Sequence, residues 1–137
     1  MRLQKNTQLA LYSVLEFAAR PGALVPAAEV ADKYGESAHH LAKVLSKLAR
    51  AGIVESVRGV GGGYRFVGNA RRLTLLDVIR IMEDLEGHGE VDSTATTPAG
   101  RALAQVLAEI DQTTLATFGS ITVATMLKMV DRAGAVR

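Results

Sequence analysis

The feature that most restricts the fold is a run of glycines between two segments of β-type residues, in the stretch SVRGVGGGYRF at residues 56–66. The flanking residues, IVESVR at 53–58 and YRFV at 64–67, predict two short strands joined by a turn. A P-loop would need a lysine after its last glycine, and a dinucleotide-binding loop would need a glycine at Tyr64 and a following helix. Because both patterns fail, the segment predicts a β-hairpin and not a phosphate cradle.

Three helices are predicted before the hairpin. TQLALYSVLEFAA at 7–19 is amphipathic, and AAEVADKY follows Pro26 and stops at Gly35. Ser37 is the expected N-cap of the third helix, AHHLAKVLSKLARAG, which ends at Gly52 and has one apolar face. Its opposite face is cationic and carries His40, Lys43, Lys47 and Arg50. This order of elements, followed by a hairpin, is typical of a winged helix-turn-helix, whose second helix enters the major groove of DNA.

The hairpin is predicted to serve as the wing. Arg58 and Arg65 flank the turn and supply positive charge for phosphates or for the minor groove. The glycines at 61–63 would let the backbone approach DNA closely, because they carry no side chain. A hairpin that is only flexible is the alternative interpretation of the same residues.

The segment after the hairpin predicts another helix and then a loop. Thr74 and Asp77 have capping-box spacing at the start of LTLLDVIRIMEDLEG, which we expect to end at Gly87. Residues 87–97 are small and polar, as in a loop. Imidazole and carboxylate groups in and beside this loop could hold a divalent metal ion, although a solvated acidic loop explains them as well. These candidate ligands are Glu86, His88, Glu90 and Asp92.

Two apolar helices are predicted at the C-terminal end. The longer one begins at Pro98, and a break near Gly119 precedes the last helix, ITVATMLKMVDRAG. We expect the longer helix to pair with a second copy of the chain, because a twofold dimer matches a palindromic DNA site. The residues predicted to make this contact are Leu103, Val106, Leu107, Ile110, Leu115 and Phe118. Folding back of these helices onto the same chain is the alternative.

The predicted fold class is mainly α with a small β-hairpin wing. It comprises a winged helix-turn-helix at residues 1–86, a loop at 87–97, and a dimerisation helix and C-terminal helix at 98–137. Residues 1–80 hold 12 Lys and Arg against 6 Asp and Glu, whereas residues 81–137 hold 4 against 8. A basic first half favours contact with a polyanion.

Composition excludes several classes of site. The chain has no cysteine, so disulfides, thiolate zinc sites and cysteine-ligated iron–sulfur clusters are excluded. Its first residues lack the long apolar stretch and small-residue cleavage site that a secretory signal would show, and the sequence contains no apolar run of about 18 residues. We therefore expect a cytoplasmic protein with no membrane partner.

The stretches YGESAHHLAKVLSKLARAGIVESVRGVGGGYRF, LTLLDVIRIMEDLEG and TTPAGRALAQVLAEI resemble the Rrf2 (Rrf-two) family of bacterial transcription regulators. The resemblance covers nearly the whole chain, and the SVRG-x-GGGY wing is its most specific element. The family includes an IscR-like branch and an NsrR-like branch. The resemblance implies winged-helix DNA binding and a homodimer. The DNA contacts implied by the resemblance are Ser37, His39, His40, Lys43, Arg58, Gly61, Gly62 and Gly63. Lys47 on the basic face of the third helix, with Tyr64 and Arg65 in the predicted wing, completes the set of predicted DNA-contacting residues.

The chain departs from this family in two places. Cluster-binding relatives carry cysteines in the loop before the dimerisation helix, but the matching positions here hold Gly89, Thr94 and Gly100. Gln8 stands where some relatives add a ligand carboxylate, so we expect no iron–sulfur cluster and no other cofactor. Ala42 replaces an acidic base-contacting residue of the IscR-like branch, which changes the expected target sequence and not DNA binding itself.

Together these observations predict a sequence-specific DNA-binding regulator, a homodimeric repressor of a palindromic operator. One alternative is a regulator that senses a metal ion or small molecule through residues 86–92 or a pocket near the dimer helices. Another is a protein–protein adaptor whose winged helix no longer binds DNA. An enzyme is not expected, because His39 and His40 lie on the DNA face and no nucleophile–base pair can be identified.

Overall fold

The computed structural model describes residues 2–83 and 96–135. This part of the chain forms six helices and two strands: α1 (Lys5–Ala18), α2 (Ala27–Tyr34), α3 (Ala38–Arg50), β1 (Val54–Val57), β2 (Gly63–Phe66), α4 (Leu75–Met82), α5 (Pro98–Ser120) and α6 (Val123–Ala135). The two strands form an antiparallel hairpin directly after α3. The predicted fold class, mainly helical with a hairpin wing, is therefore confirmed.

Local capping residues set several helix boundaries where the sequence predicted them. The Ser37 hydroxyl accepts a hydrogen bond from the backbone N–H of His40 at 3.1 Å, which caps α3. Gly35 ends α2 in the left-handed conformation, with φ at 66°. Thr74 and Asp77 form both halves of a capping box at the start of α4. These predictions are confirmed.

The end of α4 differs from the sequence prediction. The helix stops at Met82, because Glu83 is extended with φ −122° and ψ 137°. The Glu83 carboxylate accepts a hydrogen bond from the backbone N–H of Gln4 at 3.2 Å, a contact across 79 residues of sequence. The predicted end of this helix at Gly87 is therefore wrong. The helix ends earlier, at the point where Glu83 makes its long-range contact with Gln4. The candidate metal ligands Glu86, His88, Glu90 and Asp92 lie outside the described residues.

Helix α1 lies at the centre of the fold and contacts α3, α4, α6 and β2. The largest fully buried side chains of the described residues come from α1 itself and from the elements around it: Phe17, Leu41, Leu45, Leu48, Ile79, Val14, Val25, Val30, Val44, Val78, Val123 and Thr7. Among the described residues, Phe17 is the one fully buried aromatic side chain, and the other buried hydrophobic side chains are aliphatic. The face of α3 opposite this core is left for solvent or a partner.

The last helix, α6, packs against its own chain. Val123 is fully buried in the core, and its N–H donates to the Leu73 carbonyl at 2.8 Å. The Leu75 N–H donates in turn to the Ile121 carbonyl at 2.9 Å, so the α5–α6 junction is paired with the start of α4. The alternative stated from the sequence, folding back onto the same chain, therefore holds for α6, because Val123 is part of the core.

Candidate nucleic-acid interface

The orientation of α3 follows from its buried face. Leu41, Val44, Leu45 and Leu48 are buried, and residues on the opposite side of a helix lie about 180° away at about 100° per residue. That opposite side carries His39, Lys43, Ser46 and Arg50, with Lys47 next to them, and all five are exposed. No carboxylate of residues 2–83 or 96–135 pairs with Lys43, Lys47 or Arg50. The exposed face of α3 is therefore cationic without internal compensation.

The two histidines at the start of α3 occupy different environments. His39 is exposed on the cationic face, whereas His40 is half-buried on the flank of the helix. Ser37 is exposed, and its oxygen already accepts the His40 N–H, so its own hydroxyl proton is directed elsewhere. Of the predicted DNA contacts at this end of α3, His39 and Ser37 have the more accessible side chains.

The hairpin presents Arg58 and a glycine-rich tip. Its register pairs Val54 with Phe66 and Val57 with Gly63, so the turn consists of residues 58–62. Gly59 and Gly61 have φ values of 106° and 77°, which side-chain-bearing residues rarely adopt. Arg58 is exposed, as is Val60 at the apex, and no carboxylate of the described residues pairs with Arg58.

Two of the wing glycines have a packing role inside the fold. A Cβ atom on Gly62 would collide with the Val57 carbonyl, and one on Gly63 would lie 2.5 Å from the Val25 carbonyl oxygen. At Gly61, by contrast, nothing lies within 4 Å of the position that a Cβ would take. Close approach to DNA is therefore not required to explain Gly62 and Gly63, although it stays a prediction for the tip.

Tyr64 and Arg65 contact other residues of the hairpin and of the core beneath it. The Tyr64 ring stacks on Phe17 with ring centres 5.9 Å apart, and its backbone forms two hydrogen bonds with Val25, at 2.8 and 2.9 Å. Arg65 forms an ion pair with Glu55 on the neighbouring strand at 3.4 Å. Both side chains thus have structural partners, which the residue types alone did not reveal.

Four apolar residues form an exposed stripe along α5. Leu103, Val106, Leu107 and Ile110 share one side of the helix and are between 50% and 59% exposed. Leu115 and Phe118 are half-buried and lie about 60–120° from that side, towards the face where Gly119 meets Leu76. The six residues predicted for dimerisation therefore divide into an exposed stripe of four and two half-buried residues outside that stripe.

Three threonines continue this stripe and were not predicted from the sequence. The hydroxyls of Thr113, Thr114 and Thr117 donate to the carbonyl oxygens four residues earlier, at 3.0, 2.9 and 2.9 Å. Because these polar groups are satisfied by the helix itself, the methyl groups supply the outward surface. The signal available in the sequence was their spacing, since they fall on the same helical face as Ile110.

A network of hydrogen bonds and an ion pair at the edge of the core joins α1 to α2, the first helix of the helix-turn-helix. Glu16 accepts a hydrogen bond from the Tyr34 hydroxyl at 2.6 Å and pairs with the Lys33 ammonium group at 2.6 Å. Burial acts to raise the pKa of the Glu16 carboxyl, but these two hydrogen bonds and the Lys33 charge outweigh it, so the pKa lies below its ordinary value. Burial and the hydrogen bond to Glu16 raise the pKa of Tyr34. The Tyr12 ring stacks on Tyr34 and completes the contact.

Comparison with known proteins identifies the family. Residues 3–129 match the Rrf2 family, which is described as an iron-dependent transcriptional regulator. The chain belongs to the Rrf2 family. It is 48% identical over 131 residues to BadM of Rhodopseudomonas palustris, assigned as an HTH-type transcriptional regulator, and the match covers 96% of this chain and 84% of that protein. This Rrf2 protein is accordingly a DNA-binding transcriptional regulator and not an enzyme, as the sequence predicted.

Solved structures of Rrf2 proteins have the same fold. The oxidised form of CymR from Staphylococcus aureus gives a TM-score of 0.78 at 21% identity, covering 93% of this chain and 96% of that one. The IscR protein of T. potens gives 0.76 at 27% identity, covering 97% and 90%. The first likeness concerns the fold alone. Among the described helices, none is long and apolar enough to cross a membrane.

The residues of this chain do not fit the cysteine-ligated cluster of some Rrf2 proteins. No cysteine is present to supply a thiolate. Gly100, at one of the matching positions, lies in the first turn of α5, where its N–H donates to the Thr97 hydroxyl at 3.0 Å. Gln8 offers a neutral amide whose nitrogen donates to the Leu3 carbonyl at 3.2 Å. Within residues 2–83 and 96–135, no group of three histidine or acidic residues is close enough to hold a metal ion.

Proposed function

We propose that this Rrf2 protein is a homodimeric, sequence-specific repressor that binds a palindromic operator and works without a cysteine-ligated cluster. The observation that carries the proposal is the exposed face of α3, whose lysines have no carboxylate partner among the described residues. Unpaired cations on a helix that follows a helix-turn are suited to a polyanion, because counterion release from DNA favours the complex.

Each predicted contact has a separate role in this proposal. Ser37 and His39, at the N-terminal end of α3, contact base edges or the adjoining phosphates. Lys43 and Lys47 bind phosphates along the groove, and Arg58 enters the minor groove beside the wing tip. Arg65 and Tyr64 support the wing through Glu55 and Phe17, which is a smaller role than the sequence suggested.

The dimer in this proposal forms through the α5 stripe. Helix α5 has 23 residues and is about 35 Å long, and none of its residues is buried in the isolated chain. Leu103, Val106, Leu107 and Ile110 would be covered by the same residues of a second copy, as a twofold interface requires. Repression then follows from occupation of the operator by both winged helices.

The test is a DNA-binding measurement with matched variants. A duplex is first selected from a random-sequence library by the wild-type protein, and affinity is then measured by fluorescence anisotropy between 50 and 200 mM salt. Lys43→Gln should weaken binding and reduce the slope of log affinity against log salt by about 0.9 per protomer. Lys128→Gln, a change on the exposed surface of α6, is the control and should alter neither. Selection of no preferred sequence by the wild type would overturn the proposal.

A further inference from the structure

An acidic residue lies at the DNA-facing end of α3. Glu36 immediately precedes Ser37, the N-cap of this helix, and in a helix-turn-helix the N-terminal residues of the second helix approach the bases. A carboxylate in this position would repel nearby phosphates. In the structure it is paired: the Lys5 ammonium nitrogen lies 3.0 Å from a Glu36 carboxylate oxygen.

The ion pair places the start of α1 beside the same end of α3. Lys5 is the first residue of α1, and its side chain is 78% exposed, whereas that of Glu36 is only 14% exposed. The lysine therefore pairs with a largely buried carboxylate and still presents positive charge to solvent. The first turn of α1 contains no acidic residue that would cancel this charge.

A second cation precedes Lys5 by three residues. Arg2 is exposed and has no carboxylate partner among residues 2–83 and 96–135. Three residues of chain span at most about 10 Å, so Arg2 stays close to Lys5. The segment between them is tied down, because the Gln4 N–H donates to the Glu83 carboxylate at 3.2 Å.

We propose that Arg2 and Lys5 form a third DNA-contacting element that binds backbone phosphates next to the N-terminal end of α3. In this arrangement Lys5 also neutralises Glu36, which would otherwise oppose the approach of DNA. The inference rests on the proposed function, since it assigns further residues to the same protein–DNA complex. It adds the start of α1 to the recognition helix and the wing.

Two variants test this assignment. Both break the same ion pair, but one removes its positive charge and the other removes its negative charge. Lys5→Gln exposes an unpaired carboxylate and removes a phosphate contact, so we expect roughly 10-fold weaker binding to the duplex selected by the wild type and a shallower salt dependence. Glu36→Gln breaks the pair but removes negative charge, so affinity should be unchanged or higher. The double variant should lie between the two single variants.

A purely structural ion pair gives a different pattern. If Lys5 only positions Glu36, both single variants weaken binding to the same extent, and this would overturn the inference. Arg2→Gln provides an independent measurement, because Arg2 pairs with no carboxylate of residues 2–83 and 96–135, and it should reduce the salt slope by about 0.9 per protomer. Thermal unfolding of each variant verifies that the chain is folded.

The proposed function and the present inference fail in distinguishable ways. If Lys43→Gln weakens binding while Lys5→Gln and Arg2→Gln bind like the wild type, the third element is absent and the proposed function stands. If the wild type selects no sequence from the library, both proposals are overturned together. Loss of affinity in the Lys5 and Arg2 variants, with Glu36→Gln unaffected, supports the inference.

Discussion

A Cβ atom added to Gly63 would lie 2.5 Å from the carbonyl oxygen of Val25. The backbone of the wing and the segment before α2 are therefore in direct contact, and the neighbouring Tyr64 forms two backbone hydrogen bonds with the same valine. The base of the wing is thus attached to the helix-turn-helix. A hairpin that is only flexible does not account for this contact.

The first prediction concerns this contact. Gly63→Ala should lower the free energy of unfolding by about 3 kcal/mol, because the methyl group must displace either Val25 or the wing. Gly61→Ala is the matched control: nothing lies within 4 Å of its added carbon, and only its φ of 77° opposes the change. Its expected cost is about 1–2 kcal/mol. Urea unfolding followed by circular dichroism measures both values, and equal losses would contradict the close contact at Gly63.

The second prediction concerns the exposed stripe of α5. Ile110→Glu should convert the proposed dimer into a monomer without reducing the thermal stability of the protomer, because residue 110 is half exposed in the isolated chain. Gln112→Glu adds the same charge on the opposite side of α5, where it is exposed, and should leave the dimer intact. Light scattering after size-exclusion chromatography reports the molecular mass. A dimeric Ile110→Glu protein would show that subunits pair elsewhere.

The third prediction concerns the pH dependence of the α1–α2 contact. Glu16→Gln should lower the free energy of unfolding at pH 7 by about 1 kcal/mol, since Lys33 and Tyr34 lose a charged acceptor. The folded-state pKa of Glu16 is lowered, so its stabilisation is present above the unfolded-state pKa and disappears as the pH falls through the folded value. The difference between wild type and variant should therefore shrink below pH of about 4.

The control for this pH effect is Glu55→Gln in the wing. Glu55 forms a more exposed ion pair with Arg65, at 3.4 Å, and such pairs contribute between about 0 and 1 kcal/mol. Chemical unfolding between pH 3 and 7 compares the two variants with the wild type. A Glu16→Gln deficit that stayed constant down to pH 3 would refute the assigned role of the carboxylate.

Features set by neighbouring residues could be predicted from the sequence. Ser37 caps α3, Thr74 and Asp77 cap α4, and Thr97 with Pro98 begins α5, because each signal acts within three or four residues. The basic face of α3 could be predicted for the same reason, since a helical period determines which side chains share a surface. These predictions needed no knowledge of tertiary contacts.

Features set by distant residues could not be predicted. The early end of α4 accompanies the contact between Glu83 and Gln4, and the placement of Tyr64 depends on Phe17. The pairing of Lys5 with Glu36 likewise joins positions far apart in sequence. No local pattern contains this information, because burial and ion pairing between elements depend on how the chain folds back on itself.

The attachment of the α5–α6 junction to the start of α4 has a consequence for how operators can be spaced. Because Val123 is fully buried and Ile121 is hydrogen-bonded to Leu75, the C-terminal end of α5 is attached to the winged-helix core. In a dimer joined through α5, the two copies of α3 are therefore held at one fixed separation and angle. Each base pair added between the half-sites rotates one half-site by about 34° around the duplex axis. Such a dimer therefore fits only one half-site spacing unless the DNA twists or bends.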